Sequence, residues 1–204
     1  MHIPTESEFI DGIRQYEANE KRDPMYKVAT FLISHHWGDP PEMADALGVL
    51  LLTWNQAFYR YGSFNFDELE DTIRKEIGLL SELRNRDILT LSEGDASTIK
   101  RLFTEFLDSL KIASGTSTGK KSAVAVSKAL HLLAPRFFPL WDDKIAKAYG
   151  LRYNQRPAKE EYVKFCFMNK ELAEKTMRYP IPTHRTLLKL IDQYNYSKYT
   201  QGWI

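Results

Sequence analysis

The chain is poor in several features that would otherwise announce a function. It has one cysteine, Cys166, in 204 residues. That rules out an internal disulfide, and it leaves too few thiols for zinc-finger or iron–sulfur ligation within one chain. Cys166 sits in the apolar run EYVKFCFM and reads as a buried thiol rather than a nucleophile. There is no excess of one charge: the formal net charge is +1, so any nucleic-acid contact must come from a local patch. Long apolar runs are missing as well. The longest, Ala46 to Leu52, falls far short of a membrane span. The first residues lack a basic stretch followed by an apolar one, so no signal peptide is read. A cytoplasmic protein without a membrane partner is the expectation. Sustained period-two alternation and Asn-Gly or Asp-Gly hairpin turns are wanting, and so are repeats and flexible linkers.

Apolar residues at helical spacing fill the chain instead. Hydrophobic residues make up 43% and aromatics 13%, enough for a packed core. Thr5 and Glu8 read as a capping box ahead of Phe9, Ile10, Ile13 and Tyr16. Pro24 suits the first turn of a second helix. The spacing predicts a third helix from about Glu42 to Tyr61, apolar on most sides, ended by Gly62. Further helices are predicted over 66–83, from 95 or 97 to 110, and over 121–133, 141–149, 159–177 and 183–194. The expected fold is all-α, a compact multi-helix domain over 1–204 or two intimately packed lobes.

The segment from Gly115 to Gly150 carries the chemistry. Ser117-Thr118-Gly119-Lys120-Lys121-Ser122 forms a small-residue turn at a helix start, where free amides and the helix dipole can hold a phosphate. From Gly119 to Gly150, six basic residues face only Asp142 and Asp143, a local excess of four positive charges. Such a patch fits contact with a nucleic-acid backbone through Ser117, Gly119, Lys120, Lys128 and Lys144; an ordinary solvated surface fits it too. A nucleotide P-loop is excluded. Gly115 and Gly119 are one residue too close for it, two lysines precede Ser122, and the preceding segment reads as helix.

Gly119-Lys120-Lys121-Ser122-Ala123-Val124-Ala125-Val126 resembles the G-x-K-T-A-x-x-V signature of the helix-hairpin-helix DNA glycosylases of the endonuclease III superfamily. Trp141-Asp142-Asp143-Lys144-Ile145 is similar to their V-D-x-H-I element. The resemblance covers about 35 residues. Ser117 stands where the family has its first hairpin glycine, Lys144 where it has histidine, and no four-cysteine cluster loop is present. The resemblance implies a glycosylase-like helix-hairpin-helix fold acting on DNA without a cofactor. It makes Lys121 the nucleophile and Asp142, 21 residues later, its electrostatic partner. Lys121 would attack the anomeric carbon, Asp142 would steady the oxocarbenium charge, and the base would be drawn from the stack into a pocket. Leu51 to Gln56 resembles the stretch lining the base pocket in the same enzymes. Asn55 or Gln56 would then bond the base and Trp54 would stack on it.

Plainer readings stand beside these. Lys121 is also a fitting surface residue at a helix start, and Asp142 a fitting N-cap. Trp54, Asn55 and Gln56 can belong to a core helix. A second resemblance, of Ser127 to Leu133 with Pro135, Phe138-Pro139 and Trp141-Asp142, is to a motif of uncharacterised bacterial proteins; it draws attention to Lys128 and His131. His35 and His36 point about 100° apart on a helix and lack a third ligand, so no metal is expected. Arg178, His184 and Arg185 bracket a Pro-rich turn and read as surface. The aromatic tail from Tyr194 to Trp203 reads as packed against the body. The alternative function is a non-catalytic nucleic-acid-binding or defence-associated helical protein, and a third is an interaction domain.

Overall fold

Ten helices form among the described residues, and nearly all begin at a residue able to cap or to start a helix. The computed structural model describes residues 2–152, 158–182 and 185–204; His184 lies outside them. Helix α1 (Glu6–Asn19) starts at Thr5, whose hydroxyl accepts from Glu8 N, and buries Phe9, Ile13 and Tyr16. Helix α2 (Pro24–His35) starts on a proline. Helix α3 (Pro40–Trp54) is followed by the short α4 (Gln56–Tyr59). Helices α5 (Phe66–Arg84) and α6 (Ala96–Ser109) follow, with 3₁₀ turns at Ile88–Thr90 and Glu93–Asp95 between them. Helices α7 (Ala123–Leu133), α8 (Asp143–Ala148), α9 (Ala158–Thr176) and α10 (Leu187–Asn195) complete the series, and a π-helical turn, Tyr196–Gln201, ends it. Among the described residues the only strands are β1 (Gly62–Ser63) and β2 (Ser114–Gly115), two residues each, paired antiparallel.

Helix α7 is the axis of the fold. It packs against α2, α3 and α6, and nine of its residues, Ala123 and Ala125 to Leu133 without Lys128, are buried. Helix α3, expected to be central, lies between α2, α5 and α7 but leaves Val49 exposed. Helix α9 closes the far side of α6, and α10 packs between α9 and α1. The aromatic tail does fold back: Tyr194 is buried 5.4 Å from Phe9, and Ser197 donates to the Gly12 carbonyl at 2.7 Å. This return brings α10 and the π-turn beside α7 and α8, and it creates the cavity described next. No helix of the described residues is long and apolar enough to cross a membrane.

The long helix predicted over 42–61 breaks at Asn55 (φ −114°, ψ 32°). The carbonyl of Trp54 bonds Lys128 Nζ at 2.9 Å, and Phe58 N turns to the Asn55 carbonyl at 2.9 Å. A charged donor from α7 has replaced the backbone donor that would continue the helix.

Candidate functional site

A cavity of about 230 Å³ opens where α1, the start of α2, the end of α3, α7, the start of α8 and α10 converge. Its size suits one ring-sized group, below the roughly 300–1,000 Å³ of larger ligand sites. Trp54, Trp141, Tyr16 and Tyr196 supply aromatic wall, and Glu20, Asp23, Asp142, Asp192, Lys128 and Lys189 supply charge.

Lys128 reaches the cavity from the second turn of α7. Its Nζ donates to Trp54 O at 2.9 Å and to Asn55 Oδ1 at 2.7 Å, and it lies 4.6 Å from the centroid of the Trp54 ring. Burial pushes its pKa down to about 8, although the carboxylates of Asp192 and Asp142 pull the other way. A neutral lysine amine has two N–H bonds and one lone pair. Trp54 O and Asn55 Oδ1 match those two N–H bonds and leave the lone pair unengaged.

Asp142 caps α8. Its Oδ1 accepts from Ile145 N at 2.8 Å and its Oδ2 from the Thr200 hydroxyl at 2.6 Å, so the capping reading holds and the side chain is held rigidly. Each oxygen keeps a second acceptor direction. Asp142 therefore caps a helix and borders the Lys128 cavity at once.

Lys189 on α10 forms the floor and is 1% exposed. Its Nζ lies 2.9 Å from Asp192 Oδ2, 3.6 Å from Asp23 Oδ2 and 3.3 Å from the Tyr16 hydroxyl, with the Tyr26 ring centroid at 4.4 Å. Burial alone would lower its pKa. The carboxylates of Asp192 and Asp23 outweigh it and hold the ammonium above its ordinary range. One cavity thus holds two lysines pushed in opposite directions, one by burial and the other by its carboxylate neighbours. Asp23 is also bonded by Arg185 at 3.0 Å and adopts a left-handed backbone (φ 40°), uncommon for a non-glycine. Behind the floor, His131 Nδ1 donates to the Phe138 carbonyl at 2.7 Å, so its Nε2 accepts from the Tyr26 hydroxyl at 3.2 Å. Burial pushes this histidine down to about 3, so it remains neutral, as a satisfied core residue.

The expectation that Lys121 and Asp142 share a pocket is corrected. Lys121 lines a second, open depression of about 580 Å³ with Trp54, Asn55, Gln56 and Phe58, which Asp142 does not border. Ser122, not Lys121, caps α7, so Lys121 lies outside the helix; it is 43% exposed and pairs with Asp108 at the end of α6. Trp54 divides the two depressions and borders both. Asn55 lies among the predicted base-pocket residues but spends its carbonyl oxygen on Lys128, while Gln56 is exposed on the second depression.

The turn before α7 also departs from expectation. Gly119 (φ +85°) donates its N–H to Ile112 O at 2.7 Å, Lys120 N bonds Ser117 O at 3.1 Å, and Ala125 N bonds Ser122 Oγ at 3.2 Å. The loop closes on itself, so those amides do not form an open anion nest. Most cations of the patch are engaged: Lys147 with Asp143 at 2.8 Å, Arg136 with Asp87 at 3.3 Å, and Lys144 with the Thr200 carbonyl. Exposed pairs of this kind hold little energy and exchange readily. Among the described residues no group of three or more His, Cys, Asp or Glu side chains could hold a metal ion.

Sequence reading missed Lys189, Asp192 and Asp23, and read Tyr16 only as part of a helical stripe and Tyr196 only as part of the aromatic tail. A signal existed for the first two: in LLKLIDQY a lysine and an aspartate three residues apart interrupt an apolar stripe, and such residues are buried only when paired. No protein-family model matches the chain, and a search of curated proteins and of solved structures also finds no match.

Proposed function

We propose that this protein is a DNA glycosylase-like enzyme that cleaves the N-glycosidic bond of a nucleobase, with Lys128 as nucleophile and Asp142 as its carboxylate partner. The observation that carries this reading is one cavity bordered by both residues, in which the lysine amine has two acceptors and a depressed pKa of about 8. At pH 7 roughly one such amine in ten is unprotonated, many-fold more than for a lysine titrating near 10.4. The lone pair attacks the anomeric carbon as the C–N bond to the base breaks. The base leaves with the bonding electrons and takes up a proton, and the new ammonium loses one to become the imine precursor. Asp142, held by two donors, faces the positive charge that develops on the sugar. An extruded base would enter beside Trp54, Trp141 and Tyr196. Lys121, Lys120 and Lys144, with the Ser117 hydroxyl, would contact phosphate outside the cavity, where exposed contacts can exchange partners; the Gly119 N–H, bonded to Ile112 O, is not available to it.

A second reading, a catalytically silent nucleic-acid-binding protein on the same scaffold, draws on the double engagement of Asp142 by Ile145 N and Thr200. Borohydride trapping separates the two. The substrates are duplexes carrying assorted damaged bases or an abasic site, under conditions where a known bifunctional glycosylase is trapped, with a base-release assay alongside. The expected result is a covalent adduct lost in Lys128→Met and retained at saturating DNA in Lys121→Met. An adduct that depends on Lys121 instead overturns the assignment of the nucleophile. Neither adduct nor base release across the panel overturns the enzyme.

A further inference from the structure

Hydrogen-bond donors and acceptors lining the Lys128 cavity are unequal in number, and the inequality selects a ligand. Lys189 has three N–H bonds and three partners: Asp192, Asp23 and the Tyr16 hydroxyl. Lys128 directs two of its hydrogens to Trp54 O and Asn55 Oδ1. The Trp141 indole N–H is bonded to Ala123 O at 3.2 Å. The lysine and Trp141 donors are therefore largely used inside the fold, which leaves the Trp54 indole N–H and the Tyr196 O–H as the donors without an acceptor among the described residues. Acceptors are in surplus. Only Oδ2 of Asp192 meets Lys189, and its Oδ1 has no hydrogen bond among the described residues. The Glu20 carboxylate has neither a hydrogen bond nor an ion pair among them, and it borders the same cavity. Charge runs the same way: four carboxylates stand against Lys128, Lys189 and the Arg185 guanidinium paired with Asp23, a net charge of −1 that becomes −2 when Lys128 is neutral.

We propose that the cavity selects bases bearing an exocyclic amino group, of the adenine or cytosine type, over their oxo counterparts, through the free carboxylate oxygens of Asp192 and Glu20. A carboxylate is an acceptor only. An exocyclic amine gives it two N–H bonds, and a delocalised aminopyrimidine ring stacks on Trp54 or Tyr196. Hypoxanthine and uracil place a carbonyl where adenine and cytosine carry the amine. That carbonyl would meet a carboxylate with no hydrogen between them, and both would lose water without recompense. Sites built to bond a polar group reject the analogue lacking it far more strongly than apolar pockets do. The negative field also keeps phosphate out of the cavity, so the strand backbone must lie on the Lys121 side of Trp54.

This inference rests on the proposed glycosylase reading, and its test is separable from the trapping experiment. The free bases adenine, hypoxanthine, cytosine and uracil are titrated into the full-length protein by calorimetry, with putrescine as an aliphatic-amine control. Adenine and cytosine are expected to bind at least about tenfold more tightly than their oxo partners. In Glu20→Gln, which alters a partly exposed side chain with no partner, the ratio should shrink to about threefold or less, because the amide offers a donor to the carbonyl. Asp192→Asn is expected to act in the same direction and serves where it folds. Equal or tighter binding of hypoxanthine and uracil overturns the inference, even where base release and trapping succeed. Binding of putrescine without any base overturns it in favour of a simple cation site. A preference unchanged in Glu20→Gln and in folded Asp192→Asn removes these carboxylates as its cause.

Discussion

Replacing Lys189 with methionine tests the floor of the cavity most directly. The ammonium is 1% exposed and lies 2.9 Å from Asp192 and 3.6 Å from Asp23. Methionine fills much the same volume, so the packing loss is small and the electrostatic loss dominates. Asp23 keeps Arg185 at 3.0 Å. Asp192, whose side chain is 13% exposed, has no other cation at ion-pair distance among the described residues and becomes a buried, uncompensated charge. Removing one partner of a buried pair costs about 3–5 kcal/mol, and the surviving Arg185 contact places this case near 3 kcal/mol. For a chain of this size, each kcal/mol shifts the melting temperature by about 2–4 °C, so the expected fall is about 6–12 °C by calorimetry or circular dichroism. Lys189→Met combined with Asp192→Leu removes both charges and should recover most of that loss, since deleting a whole buried pair is far less costly than breaking it. A drop below about 2 °C in the single variant, or no recovery in the double, would refute the argument that the floor is a closed ion cluster.

Two further outcomes follow from the same geometry. Lys128, held down to about pH 8 by burial, should react with a lysine-directed acylating reagent along a curve with its midpoint near that pH, well below the exposed lysines; a midpoint near 10.5 contradicts its burial. The sign of its effect on stability follows. Its folded pKa is below the unfolded one, so the unfolded chain holds more protons between about pH 8 and 10.5, and burial of Lys128 costs most below that window and progressively less through it. Gly48→Ala should destabilise by about 1–3 kcal/mol in a chemical-denaturation series, because a Cβ there would lie 2.3 Å from the Phe66 ring; adding Phe66→Leu should restore part of the loss, and no recovery would point to backbone strain instead.

Much of the helical scaffold was legible because each helix writes its own buried stripe. Phe9, Ile13 and Tyr16 in α1, and Ile99, Leu102, Phe103 and Phe106 in α6, are spaced for one face, and those faces are buried. Caps were legible too: Thr5 and Asp142 act as their residue types suggest. The break at Asn55 was not, because it accompanies a hydrogen bond from Lys128 to the Trp54 carbonyl, 74 residues away. The closed loop around Gly119 was hidden for a similar reason: its amides find carbonyls from Ile112 and Ser117, and that depends on how the chain turns back rather than on glycine alone.

The sequence by itself determined an all-helical chain with a lysine-rich helix start, an aspartate at the next helix start and an aromatic segment ahead of both. The resemblance in the sequence pointed to Lys121, but chemistry at the residue level did not separate it from Lys128. The two are the same chemical group seven residues apart, and nothing local distinguishes their reactivity. Tertiary structure places Lys128, and not Lys121, in one cavity with Asp142. Ser122 caps α7 and leaves Lys121 outside, facing Asp108 in solvent, while the return of α10 walls Lys128 into a cavity with Asp142 and Asp192. A lysine's charge state and direction are set by burial and by neighbours, and here those neighbours arrive from α1, α2, α3, α8 and α10, which only folding brings together.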